Sequence, residues 1–222
     1  MMGLFWSIIR RVVLPSGYEN PSGYKIPSRY LMDHHDHVNL LRPANLAPGG
    51  SWADLGAGSG AFTLALRELI GSQASIYAVD RDKLRLAELE RAWRRYFGEA
   101  SALHLLPADF TRPLDLPALD GLLMANSLHF HKDKVSLLRQ VGALLKPGGR
   151  LLLVEYNVAV GNLWVPYPCF FEQFQLLVTE AGFSAPRRLA THPSSFLQEF
   201  YSAEAFLNTI PQKSRAGQAD TK

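Results

Sequence analysis

Trp52-Ala53-Asp54-Leu55-Gly56-Ala57-Gly58-Ser59-Gly60-Ala61-Phe62-Thr63 is an apolar run that enters three alternate glycines and leaves in helical spacing. Phe62, Leu64, Ala65, Leu66 and Leu69 keep that spacing, so a strand turns through the glycines into a helix over about 61–71. Glycine permits a positive φ where the chain reverses, and without a β-carbon its backbone can approach a ligand closely. The stretch therefore reads as a nucleotide-binding turn. A second strand follows at Ser75-Ile76-Tyr77-Ala78-Val79-Asp80, with Arg81 next to its terminal acid. An acid about 20 residues beyond such glycines accepts from ribose hydroxyls. Asp82 is placed to cap the helix predicted over 82–97, which leaves Asp80 for the ligand.

The alternation continues. A third strand over 102–106 runs into Pro107-Ala108-Asp109-Phe110, and a fourth over 119–126 runs into Ser127-Leu128-His129-Phe130-His131. A helix opened by His131 or Asp133 continues through Leu145, where Lys146-Pro147-Gly148-Gly149 ends it before a strand over 150–156. A helix over 170–182 precedes two strands, 186–192 and 196–201, joined by Pro193-Ser194-Ser195. Upstream, residues 1–50 carry five prolines and one predicted helix over 27–41, and form an extension that caps the active site. Its run from Tyr30 to His37 mixes aromatic, acidic and imidazole groups, as a pocket lining does and as a solvated helix face also does. Residues 51–211 make the α/β domain, and 212–222 a polar, frayed tail.

With 222 residues, 47% hydrophobic and 19% charged, the chain supports one well-buried core. A net charge of +3, spread along the chain, gives nucleic-acid binding no support. One cysteine, Cys169, excludes an internal disulfide framework and a cysteine-rich zinc site, and fits a reducing cytoplasm. Met1–Leu14 lacks both the basic start and the cleavage site of a signal peptide. No run of about 18 apolar residues predicts stable membrane insertion.

Two patterns fit the turn. Gly56, Gly58 and Ala61 match the G-x-G-x-x-G/A of pyrophosphate-binding NAD folds, whereas Asp54, Gly56, Gly58 and Gly60 give D-x-G-x-G-x-G. The second resembles motif I of the class I S-adenosylmethionine-dependent methyltransferases. A carboxylate there suits a cationic ligand and repels a pyrophosphate. The acid and aromatic after the third strand and the phrase Leu145-Lys146-Pro147-Gly148-Gly149-Arg150-Leu151 resemble the same family, as does the terminal hairpin, so the resemblance spans about 51–206.

This resemblance implies a seven-stranded, mostly parallel sheet with a C-terminal antiparallel hairpin strand and helices on both faces. It implies S-adenosyl-L-methionine as cofactor, held by Asp54, Gly56, Ala57, Gly58, Gly60, Asp80, Arg81, Asp109, Phe110, Asn126 and, from the extension, Tyr30. The reaction implied is methyl transfer to a small-molecule acceptor, with no resident metal. His129 and His131 are the candidate bases if the acceptor must lose a proton, His129 being nearer the strand end. Asn126-Ser127-Leu128-His129 lacks the [DN]-P-P-[YFW] box that resembles base or glutamine methylation, and one cysteine argues against arsenic methylation. An NAD-dependent oxidoreductase and a silent S-adenosylmethionine-binding protein are the alternatives. Neither the acceptor nor the oligomeric state is encoded in these patterns.

Overall fold

The structure, a computed structural model, describes residues 32–98, 102–194 and 196–209. In chain order the elements are α1 (His34–Leu41), β1 (Ser51–Leu55), α2 (Ala61–Ile70), β2 (Ser75–Asp80), α3 (Lys83–Phe97), β3 (Leu103–Pro107) and β4 (Leu119–Ala125). They continue with α4 (Lys134–Gly142), β5 (Leu145–Tyr156), α5 (Phe171–Glu180), β6 (Arg187–Pro193) and β7 (Glu199–Phe206), with 3-10 turns at Arg42–Ala44 and Leu128–Phe130.

Seven strands make one sheet in the order β3-β2-β1-β4-β5-β7-β6. All neighbours are parallel except β7, which runs antiparallel to both β5 and β6. Strand order reverses between β1 and β4, and in open α/β sheets ligands bind outside the carboxyl ends at such a switch point. Both sheet faces are covered, so the central strands are apolar throughout. Leu123, Leu152 and Val154 face one core with Leu66, Leu89 and Trp93. Leu122, Met124, Leu151 and Leu153 face the other with Leu138, Phe174 and Val178. This is the period of two that a strand imposes on its side chains.

The expected sheet is present, with shifted boundaries. The helix predicted through Leu145 ends at Gly142, and β5 starts at Leu145 rather than at 150. Leu119 pairs with Leu145 but Gly121 with Arg150, so Pro147-Gly148-Gly149 bulges out of the strand instead of preceding it. Gly148 takes a φ of +74° there. The hairpin is also longer than expected, β7 running from Glu199 to Phe206.

Helix α1 begins where Asp33 and Asp36 form a reciprocal capping box, each carboxylate accepting from the other's amide at 3.0 and 2.9 Å. The predicted start at residue 27 lies outside the described residues. Its inward side chains, Val38, Leu40 and Leu41, are buried in the first core. Ser202 Oγ of β7 donates to Leu40 O at 2.6 Å, and Arg150 and Arg187 donate to Ala44 O and Pro43 O at 2.6 and 3.0 Å. Residues 32–50 thus pack as a layer over α2, β6 and β7. Replacing the fully buried Leu41 by alanine should lower unfolding free energy by about 2–5 kcal/mol in urea titrations. A change near zero would mean that this layer contributes nothing to the core.

Candidate active site

Gly56, Gly58 and Gly60 take φ values of +88°, +54° and +91°. The amides of Gly56 and Ala57 donate to Val79 O at 2.8 and 3.1 Å, fastening the turn to the end of β2. Asp80 completes the tie, its Oδ2 accepting from Gly58 N and its Oδ1 from Asp82 N, both at 2.8 Å. Asp82 caps α3 by accepting from Leu84 N and Arg85 N. The glycines answer to different needs. A β-carbon at Gly60 would overlap Leu89, and one at Gly56 would lie 2.7 Å from Ser127 Cβ. At Gly58 the nearest atom would be Arg85 Nη1, 3.8 Å away, so a β-carbon there would meet only an ordinary contact with the end of a flexible side chain.

Asp54 is 1% exposed, and its Oδ2 accepts from Thr63 Oγ1 at 2.6 Å, linking the end of β1 to the first turn of α2. The pleat turns this side chain toward α2. Burial, with the nearby charge of Asp80, pushes the carboxyl up to about 7 against the weaker pull of the Thr63 hydrogen bond.

Parallel pairing brings the other strand ends alongside. Asp80 pairs with Pro107, which places Asp109 and Phe110 beside it. Asp109 Oδ1 accepts from the amide and hydroxyl of Thr111 at 2.9 and 2.7 Å, and these bonds lower its pKa. Phe110 borders Gly56 and meets the His131 ring edge-on at 5.3 Å. Arg81 is exposed and acts on Asp109 and His131 only through its charge. At the end of β4, Asn126 is left-handed, with φ +53°, and its Oδ1 is buried without a hydrogen-bond partner, as is Ser127 Oγ. Buried polar atoms without partners are costly, so two at one strand end mark a place for a polar ligand. Together with the Gly58 backbone and the carboxylate of Asp80, they fit a nucleoside-bearing cofactor. Tyr30 lies outside the described residues.

The end of β5 supplies what the sequence reading missed. Glu155 is fully buried; its Oε1 accepts from the amides of Leu128 and His129 at 2.9 and 3.1 Å, and its Oε2 from His129 Nδ1 at 2.6 Å. A carboxylate only accepts, so His129 Nδ1 is the donor of this bond. Nε2 makes no hydrogen bond among the described residues. His129 is 3% exposed, and Tyr167 N donates to its carbonyl at 3.0 Å. His131 is half-buried, its pKa lowered by burial, and its carbonyl accepts from Lys134 Nζ at 2.8 Å. The signal for Glu155 was one acid in the apolar run Leu151-Leu152-Leu153-Val154-Glu155-Tyr156, since a buried charge demands partners.

The histidines of α1 are dispersed. His34 pairs with Glu68 at 2.8 Å and packs on Tyr96, while His37 lies edge-on to Phe62 at 4.8 Å. Burial pushes His37 down to about 4. No group of three or more potential metal ligands occurs among the described residues, and no helix among them is long and apolar enough to cross a membrane.

Residues 53–151 match the family model described as a methyltransferase domain. The chain is 33% identical over 133 residues to acetylserotonin O-methyltransferase of Mus musculus, an alignment covering 55% of this chain and 32% of that protein. It is 29% identical over 182 residues to arsenite methyltransferase of Aquipseudomonas alcaligenes, covering 70% and 50%. The chain thus spans a third to a half of the curated relatives it matches. Magnesium protoporphyrin IX methyltransferase from Synechocystis, solved with S-adenosylmethionine bound, superposes with a TM-score of 0.66 at 15% identity, covering 93% of this chain and 92% of that one.

The two inner glycines should separate experimentally. Gly60→Val should unfold the protein, because Leu89 has nowhere to go, whereas Gly58→Val should keep a cooperative melt, at a backbone cost of about 1–2 kcal/mol, and lose cofactor binding in titration calorimetry. Equal melting of the two variants would make the turn purely structural.

Asp54 and His37 give opposite pH dependences. Asp54 has a folded pKa above its ordinary 3.8, so its contribution is full below about 4 and is lost as pH rises through about 7. His37 has a folded pKa below its ordinary 6.5, so its contribution is full above 6.5 and lost as pH falls through about 4. Asp54→Asn keeps an acceptor for Thr63 without the charge, and should raise Tm relative to wild type more at pH 8 than at pH 5. An equal effect at both pH values would refute the buried-proton assignment.

Proposed function

We propose that this chain is a class I S-adenosylmethionine-dependent methyltransferase and that it methylates a hydroxyl group of a small molecule. The observation that carries the reading is the buried pair of His129 and Glu155 beside the switch point. A neutral amine or a thiolate acceptor needs no base, but a hydroxyl does, and an imidazole oriented by a carboxylate can serve as a general base. The relative from Mus musculus is named for O-methylation. The arsenite-methylating relative is a poorer guide, since Cys169 is the only thiol, is fully buried and has its pKa pushed up to about 12 by burial.

Asp80 would take the ribose hydroxyls, Asp109 and Phe110 the adenine edge and face, and Asn126 and Ser127 the polar end of the cofactor, over the backbone of Gly58. Asp54 would act by holding the turn to α2. Tyr30 and the 1–50 extension would close the site from above. When bound, S-adenosylmethionine supplies an electrophilic methyl carbon whose carbon–sulfur bond breaks as the acceptor's oxygen–carbon bond forms, leaving a neutral thioether. Glu155 holds the His129 Nδ1 proton, and Nε2 takes the hydroxyl proton and passes it to solvent. Much of the acceleration comes from positioning, which can contribute about 7–11 kcal/mol. No metal or nucleic acid takes part, and a cytoplasmic site of action fits the buried lone thiol.

Asp80→Ala should weaken cofactor binding by about 1.5–3 kcal/mol per ribose bond lost, measured by calorimetry. His129→Ala should lower kcat by about 10²–10⁴-fold, with S-adenosylhomocysteine release from a panel of hydroxylated small molecules as readout and cofactor affinity unchanged. Full activity in His129→Ala would remove the base; unchanged affinity in Asp80→Ala would remove the ribose assignment.

A further inference from the structure

Among the described residues, five of the nine exposed large apolar side chains sit on three loops that leave the carboxyl ends of β4, β5 and β6. They are Phe130 after β4, Val160, Leu163 and Tyr167 after β5, and Phe196 in the hairpin turn. Val160 and Leu163 are 81% and 73% exposed. A cluster of exposed apolar groups at one end of a fold marks a binding surface.

These loops are nearly without charge. Residues 157–171, fifteen in sequence, contain no Asp, Glu, Lys, Arg or His, nor do 193–198, in a chain that is 19% charged. On the β4 loop Lys132 is exposed two residues from Phe130, while the charged groups that border the other two loops are engaged. Lys134 is buried under the Tyr167 ring with Nζ on His131 O, and Glu199 accepts from Asn157 Nδ2 at 2.7 Å. From the lip, rings lead inward to the base: Phe196 to Tyr156 at 5.9 Å, then Tyr156 to His129 at 6.1 Å.

We infer that the acceptor is an uncharged apolar compound bearing a phenolic hydroxyl, its hydrocarbon body against this lip and its hydroxyl at His129 Nε2. The inference rests on the methyl-transfer reading above and narrows its substrate class. A carboxylated or phosphorylated acceptor would have to leave water with no cation in residues 157–171 or 193–198 to receive it. An apolar body gains from leaving water on the same surface. In the reaction the phenolic O–H breaks, its proton going to Nε2; the oxygen gains the methyl group and the cofactor leaves as the thioether.

The test uses the full chain with S-adenosylhomocysteine present, titrated with 2-naphthol and with 6-hydroxynaphthalene-2-sulfonate and followed by naphthol fluorescence. Wild type should bind the neutral probe at least about tenfold more tightly, and the Val160→Glu, Leu163→Glu double variant should lose about tenfold of that affinity. Affinity for S-adenosylhomocysteine should not change. Equal binding of the sulfonate, no binding of 2-naphthol, or undiminished binding by the double variant would overturn the inference. A lowered Tm in that variant without an effect on naphthol would overturn it too. Failure of wild type to bind S-adenosylhomocysteine would instead bring down the methyl-transfer reading and this inference with it.

Discussion

Three left-handed glycines within five residues let the chain pass from β1 into α2 without moving away from the sheet, and the other site groups are placed by that turn. With the amides of Gly56 and Ala57 on Val79 O and that of Gly58 on Asp80, the turn is bound to β2, not free in solvent. Leu89 of α3 fills the space where a side chain at Gly60 would stand, so the helix packs directly on the turn. Asp54 and Thr63 close the remaining side. The backbone over Gly58 is consequently presented to the crevice by contacts from three elements.

Charge is distributed unevenly around that crevice. Carboxylates at the ends of β1, β2 and β3 each have backbone or hydroxyl donors: Asp54 from Thr63, Asp80 from Gly58 and Asp82, Asp109 from Thr111. Across the switch point the only buried carboxylate at a strand end in the described residues is Glu155, and it is spent on two amides and one imidazole. Outside it the surface becomes apolar. On the proposed function, the polar half would take the cofactor and the apolar half its acceptor, with His129 at the boundary.

Much of this was legible in the sequence, for identifiable reasons. Alternating strand and helix periods, glycine punctuation and acids at strand ends are local signals, and they located the sheet, the turn and the strand ends at which Asp80 and His129 stand. Pairings that depend on register were not local. Glu155 and His129 are 26 residues apart and meet because β4 and β5 run parallel, with Ala125 opposite Val154. The Asp54–Thr63 bond was not legible either, because the pleat decides which way a strand-end side chain points. Pro147-Gly148-Gly149 read as a stop between elements, whereas β5 tolerates it as a bulge because β4 shifts register there. The burial of Val38, Leu40 and Leu41 could not be read from a mixed histidine and acid segment whose partners, Arg187 and Ser202, lie at the far end of the chain.

The central claim is that the Gly56–Gly60 turn with Asp80 binds a nucleoside carrying a sulfonium or thioether and not a dinucleotide pyrophosphate. Calorimetric titration of the purified chain with S-adenosylhomocysteine and, separately, with NAD tests it most directly. The account predicts one equivalent of S-adenosylhomocysteine bound per chain and no heat of binding with NAD; binding of NAD, or of neither ligand, would contradict it.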